Sequence, residues 1–83
     1  MSFEFSQAIR RRDRLISIIF YQGFVDWDML YELLSTEAGH EINTNILNFD
    51  LHKLLNEKKI KRIGKGFKLS DYELTNDGMI IFK

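Results

Sequence analysis

Apolar side chains recur at helical spacing in three stretches of this chain and alternate with polar ones in a fourth. From Ser6 to about Gln22, the residues Ile9, Leu15, Ile16, Ile19 and Phe20 fall near the helical period, with Ser6 a competent N-cap and Gly23 a stop. This predicts a first helix. Phe24 and Val25 read as a short extended link, and Asp26 as the N-cap of a second helix carrying Trp27, Leu30, Tyr31, Leu33 and Leu34. The stretch from Thr36 to Glu41, which contains Gly39, ends it. A third helix begins at Asn43 or Thr44, both good caps, and runs to about Lys58, with Ile42 placed to pack on Leu47 as a hydrophobic staple. Its residues Leu47, Leu51, Leu54 and Leu55 stand at i, i+4, i+7 and i+8 and define one buried stripe. Opposite them Asn45, Asn48, His52 and Asn56, at i, i+3, i+7 and i+11, share an exposed polar stripe.

Beyond this helix the period shortens to two. Ile60 to Ile63 and Leu69 to Leu74 read as strands around Gly64-Lys65-Gly66, a glycine-rich turn, which makes a β-hairpin. Tyr72 and Leu74 share a face and are predicted to meet the core, with Glu73 pointing away. After that, Thr75 is a competent cap for a short C-terminal helix, and Asn76-Asp77-Gly78 is an equally competent turn into a strand from Met79 to Phe82. The pattern leaves both open. With no Pro, no repeat and no low-complexity stretch to mark a boundary, residues 1–83 read as a single α+β domain: three helices followed by a hairpin.

Composition narrows what such a domain can do. A chain of 83 residues has room for one modest core, so a deep catalytic cleft is not expected. Its seven Phe, three Tyr and one Trp supply large buried areas for that core. There is no Cys, hence no disulfide framework and no thiolate metal site, and two isolated His residues do not build a zinc site. Neither a membrane-spanning run nor the long apolar segment of a signal peptide is evident, which predicts a cytoplasmic protein. Net charge is zero, with twelve basic and twelve acidic residues, which argues against indiscriminate coating of nucleic acid. The charges are nevertheless segregated along the chain. Arg10, Arg11, Arg12 and Arg14 cluster, Asp26, Asp28, Glu32, Glu37 and Glu41 follow without an intervening cation, and Lys53, Lys58, Lys59, Lys61, Arg62, Lys65 and Lys68 come last. A basic side and an acidic side are expected.

The segment Leu51-His52-Lys53-Leu54-Leu55-Asn56-Glu57-Lys58-Lys59-Ile60-Lys61-Arg62 resembles the end of a recognition helix entering the wing in winged helix-turn-helix regulators of the PadR, MarR and ArsR kind. Tyr72-Glu73-Leu74-Thr75-Asn76-Asp77-Gly78 is similar to the Tyr-x-Leu-Thr-x-x-Gly that follows the wing in those families. The resemblance covers about Ile16 to Gly78 and does not single out a subfamily. In two places the chain departs from the pattern. Lys59 stands where these families place a left-handed Gly before the first wing residue, and the link from Ser35 to Ile42 is longer than a tight helix-turn-helix corner.

The resemblance implies a sequence-specific, double-stranded-DNA-binding transcriptional regulator, acting as a homodimer, with its third helix in the major groove and its basic wing on the backbone. Size alone fits a regulator from a virus, plasmid or other mobile element. The implied contacts are Thr44, Asn45, Asn48, His52 and Lys53 on the helix, and Lys61, Arg62, Lys65 and Lys68 on the wing. Asn pairs bidentately with adenine, His reaches guanine or phosphate, and the cations grip phosphates. The bland alternative is a solvated helix face and solubilising charge on an edge hairpin. Exposed Phe3, Phe5, Ile9, Met79, Ile81 and Phe82 are the expected dimer surface. The Arg10 to Arg14 cluster either flanks the DNA or solvates the first helix, and Trp27 and Tyr31 are core or dimer contacts. No metal, no cofactor, no membrane and no catalytic residue are assigned, since His40 with Glu37 and Glu41 lacks a fourth ligand and Ser17, Ser35 and Ser70 lack a His and acid arrangement. A rival reading makes the domain a protein-interaction module whose acidic face, Asp26 to Glu41, meets a basic partner.

Overall fold

The computed structural model describes the backbone of residues 3–65 and 68–79 and the side chains of residues 9–64 and 70–79. Helix α1 (Phe3–Gln22) starts ahead of Ser6, so Ser6 lies within it and does not cap it. Packing of its inner face carries this helix rather than a start signal. Leu15, Ile16, Ile18 and Ile19 are buried, while Phe20, expected on the same stripe, is 41% exposed. Gly23 closes α1 at φ +86°, a left-handed turn that suits glycine, with its N–H on the Ile19 carbonyl at 2.8 Å.

The predicted link after α1 is a strand. β1 (Phe24–Asp26) pairs antiparallel with residues 71–73 of β3 (Lys68–Leu74), and β2 (Ile60–Lys65) pairs with the other edge of β3, giving the order β1-β3-β2. The sheet therefore has three strands where the hairpin alone was expected. In register, Val25, Tyr72 and Arg62 share one face, while Phe24, Glu73 and Lys61 share the other. Gly64 and Lys65 belong to β2, with an irregularity between Ile63 and Lys65, so these two residues of the predicted turn are strand. Lys65 pairs with Lys68, and the residues joining them, 66 and 67, lie outside the described part of the chain.

Local chemistry sets the ends of the next two helices. At the start of α2 (Trp27–Ala38) the Asp26 carboxylate accepts from the Met29 N–H at 2.8 Å, and Gly39 ends it at φ +78°. At the start of α3 (Thr44–Asn56) the Asn43 side chain accepts from the N–H groups of Asn45 at 2.9 Å and Ile46 at 3.3 Å. Ile42, the predicted staple, packs against the core.

Helix α3 stops earlier than Lys58 because Lys58 itself turns left-handed, at φ +59°. Its N–H donates to the Leu55 carbonyl and the Lys59 N–H to the Leu54 carbonyl, both at 3.0 Å, the paired bonds of a Schellman end. The left-handed residue is thus Lys58, not Lys59, and it is no glycine. The segment after β3 secures the same junction. Thr75 donates its N–H to the Lys59 carbonyl at 3.0 Å and its hydroxyl to the Lys58 carbonyl at 2.5 Å. That hydroxyl also accepts from the Gly78 N–H at 3.2 Å, capping the short helix α4 (Asn76–Met79), so the helical alternative holds for these residues. Residues 80–83 lie outside the described part. Gly78 presses so closely on the residue that precedes β2 that a Cβ there would stand 2.1 Å from the Lys59 carbonyl oxygen. The Tyr72, Leu74, Thr75 and Gly78 pattern is therefore two core side chains followed by a clamp on the α3–β2 corner.

Among the described residues the architecture is a small α+β fold of four helices and one three-stranded antiparallel sheet. Its core joins Leu15, Ile16 and Ile19 of α1 to Leu30 of α2, to Leu47, Leu51 and Leu54 of α3, and to Val25, Ile60, Tyr72 and Leu74 of the sheet. No helix among the described residues is long and apolar enough to cross a membrane.

Candidate nucleic-acid interface

With Leu47, Leu51 and Leu54 holding α3 in the core, the opposite face is free. Asn45, Asn48, His52 and Asn56 are exposed there, as their spacing predicts, and Thr44 and Lys53 are exposed as well. Two of the amides differ chemically. The Asn45 side chain makes no hydrogen bond to another described residue, whereas the Asn48 Oδ1 accepts from the Trp27 indole N–H at 2.8 Å. Because an indole N–H only donates, the atom facing it must be the amide oxygen, which leaves the Asn48 NH2 donors to offer outward. Trp27 is itself held by stacking on Tyr31, with ring centroids 5.4 Å apart and planes 12° from parallel. Trp27 and Tyr31 thus pack against the core, as expected, and Trp27 also orients an exposed amide.

The sequence pattern missed Phe49. It is 62% exposed and sits among the amides, four residues after Asn45 and three before His52. Ile46, 42% exposed, adds a second apolar group to α3. The helical spacing that placed the amides was also the signal for Phe49.

Three of the four arginines in the cluster lie against carboxylates of the domain, and Arg10 is exposed. Asp50, on the core side of α3 and only 2% exposed, takes the Arg11 Nε at 2.8 Å and Nη2 at 3.3 Å, with Arg12 Nη1 3.7 Å away. A forked, charge-assisted contact of this kind fixes both position and orientation. It ties α3 to α1. Arg14 makes a similar fork on Glu37 of α2, at 2.7 to 3.0 Å, and this hydrogen-bonded carboxylate raises the arginine's pKa above its ordinary value. Both partners are about half exposed, so the contribution of this second pair is small and salt-sensitive. The charge segregation seen along the chain is thus partly cancelled in space. Glu37 is neutralised by Arg14, Asp26 is spent on a cap, and Asp28, Glu32 and Glu41 are left exposed.

On the hairpin, Lys61 lies 3.6 Å from the Glu73 carboxylate across the strand pair, and the Arg62 guanidinium sits 5.4 Å over the Tyr72 ring. Arg62 is exposed with its head on an aromatic face, while Lys61 already has an anion. Lys65 and Lys68 are opposed in register at the end of the hairpin, and their side chains lie outside the described residues, as do Phe3, Phe5, Ile81 and Phe82 of the expected dimer surface. Of that surface, Ile9 is half-buried and Met79 is 38% exposed.

A groove of about 560 Å³ runs between α1, the end of α2 and the start of α3, walled by Leu15, Leu34, Ile42, Ile46 and Leu47. Its rim carries Arg11 and Arg14, already engaged with Asp50 and Glu37, and the exposed Arg10. Among the described residues no group of three or more His, Cys, Asp or Glu side chains is placed to hold a metal ion. Comparison of the chain with known protein families, characterised proteins and solved structures gives no match.

Proposed function

We propose that this chain is a winged helix-turn-helix domain that binds duplex DNA as a transcriptional regulator. In this reading α3 enters the major groove and the β2–β3 hairpin is the wing that lies along the phosphate backbone. The observation that carries it is the two-sidedness of α3. One face is locked into the core and tied to α1 through Asp50, and the other presents Asn45, Asn48, Phe49, His52 and Asn56 together. Rigid presentation of base-reading side chains is what specific recognition requires. Support also comes from the clamp of Thr75 and Gly78, which fixes the angle between that helix and a hairpin carrying Lys61, Arg62, Lys65 and Lys68. Two copies, on half-sites roughly 34 to 36 Å apart, complete the reading. It assigns binding and no catalysis, in the cytoplasm.

Fluorescence anisotropy with duplex DNA across a salt series tests it. Each phosphate neutralised contributes about −0.9 to the slope of log K against log salt. Lys53, Arg62, Lys65 and Lys68 contacting phosphates give a slope of about −3 to −4 per protomer. A slope near zero refutes the proposal.

One observation favours a second reading, in which the domain docks on a basic protein. On α2 the exposed Met29 and Leu33 adjoin Glu32, an apolar and acidic patch away from α3's amides. Loss of a host-protein interaction on Glu32→Ala, together with a flat salt series on DNA, selects that reading.

A further inference from the structure

One large apolar side chain interrupts the polar face of α3. Phe49 is 62% exposed and stands, by helical spacing, between Asn45 and His52 rather than toward the core. Most of that ring is left in water by the fold, and contact with an apolar partner removes it. The base edges of the major groove offer one apolar group, the 5-methyl of thymine. Next to Phe49, the Asn48 amide has its oxygen turned to Trp27 at 2.8 Å and keeps N–H donors for an outside acceptor. Thymine sets an acceptor, O4, beside its methyl. Asn45, whose amide meets no other described residue, retains the bidentate pairing that adenine needs.

We infer that Phe49 is a specificity-determining residue that packs on the methyl group of a thymine in the major groove, with Asn48 turned by Trp27 to donate to an adjacent base acceptor. This rests on the duplex-binding reading above, and it adds the chemical class of base that the helix reads. His52 and Lys53 then lie one turn further along the helix, toward the flanking backbone or purine edges.

The test begins with duplexes enriched from a random library by the full chain. Each thymine of the enriched site is replaced singly by deoxyuridine, which removes only the methyl, and affinities are measured by anisotropy for the parent, Phe49→Ala and Phe49→Leu. The parent is expected to lose about fourfold in Kd at one thymine per half-site, the weight of one buried methyl. Phe49→Ala should bind the thymine and uracil duplexes equally, and Phe49→Leu should keep part of the difference. Phe49 contributes little to the core, so thermal melts of these variants should match the parent. If no replacement changes parental affinity by as much as twofold, or if Phe49→Ala keeps the parental ratio, the inference is overturned while duplex binding stands. If Phe49→Ala keeps that ratio and also dissociates a dimer in sedimentation, Phe49 is a contact between copies, and the inference falls. No enrichment together with a flat salt series removes both readings.

Discussion

Replacing Arg11 by Met tests whether the buried carboxylate of Asp50 is a strut or a liability. Asp50 is 2% exposed and receives two bonds from Arg11, at 2.8 and 3.3 Å, whereas Arg12 at 3.7 Å is beyond hydrogen-bond range. Removing one partner of a buried ion pair leaves the other charge unpaired and costs about 3 to 5 kcal/mol. Arg12, 15% exposed, is near enough to move in, which brings the expected loss for Arg11→Met to about 2 to 4 kcal/mol. The reverse deletion is milder. Asp50→Leu removes the buried charge and leaves Arg11, 40% exposed, free to take its guanidinium into water, so about 1 to 2 kcal/mol is expected. The double variant should then be more stable than Arg11→Met alone, because the stranded carboxylate is gone.

Urea unfolding followed by circular dichroism measures all four members of this cycle, and comparable m-values make the midpoints comparable. Total stability of a domain this size is about 4 to 12 kcal/mol, so Arg11→Met removes a large share of it. Two results refute the reasoning: Asp50→Leu costing more than Arg11→Met, or a coupling energy under about 0.5 kcal/mol.

Three further outcomes are expected. Lys58→Gly relieves a left-handed lysine at φ +59° and should stabilise the domain by about 1 kcal/mol, read as a higher urea midpoint; a lower one shows that the lysine side chain makes contacts worth more than the strain. Gly78→Ala drives a methyl to 2.1 Å from the Lys59 carbonyl, a backbone atom that cannot rotate aside, and should cost at least about 1 to 3 kcal/mol in the same assay; wild-type stability shows that the α3–β2 corner yields. On DNA, Asn45→Ala should reduce discrimination between enriched and scrambled duplexes by about 1 to 3 kcal/mol with the salt slope unchanged, and Arg62→Ala should weaken both duplexes alike with a slope shallower by about one, in anisotropy titrations.

The starts of α2 and α3 were legible because capping is local chemistry: Asp26 and Asn43 each satisfy amides two or three residues away, whereas Ser6 falls inside α1 and marks no start. Strand β1 was not, since three residues are too few to show alternation and its existence depends on residues 71–73 across the fold. The end of α3 was set too late because glycine usually marks a left-handed residue, and here lysine adopts it under a double hold from Thr75 and Gly78. Within the candidate site, the exposed amides of α3 followed directly from periodicity. Phe49 and Asp50 were missed, although the same periodicity sets an apolar residue on the polar stripe and a carboxylate beside the buried one.

Charge was the misleading signal. Summed along the chain, Arg10 to Arg14 form a basic block, but Arg11 finds its partner 39 residues away, on buried Asp50, and Arg14 finds its own 23 residues away, on the surface. Among the described residues, the exposed cations with no carboxylate partner include Arg10 on α1, Lys53 on α3 and Arg62 on the hairpin. In the proposed reading, stability and recognition lie on opposite faces of one helix. Asp50 looks inward to α1 while its neighbour Phe49 looks out. A shift of α3 on loss of Arg11 would therefore move every proposed base contact together. Arg11→Met should accordingly weaken enriched and scrambled duplexes to different degrees even in the folded fraction, although Arg11 itself meets Asp50 and not the DNA.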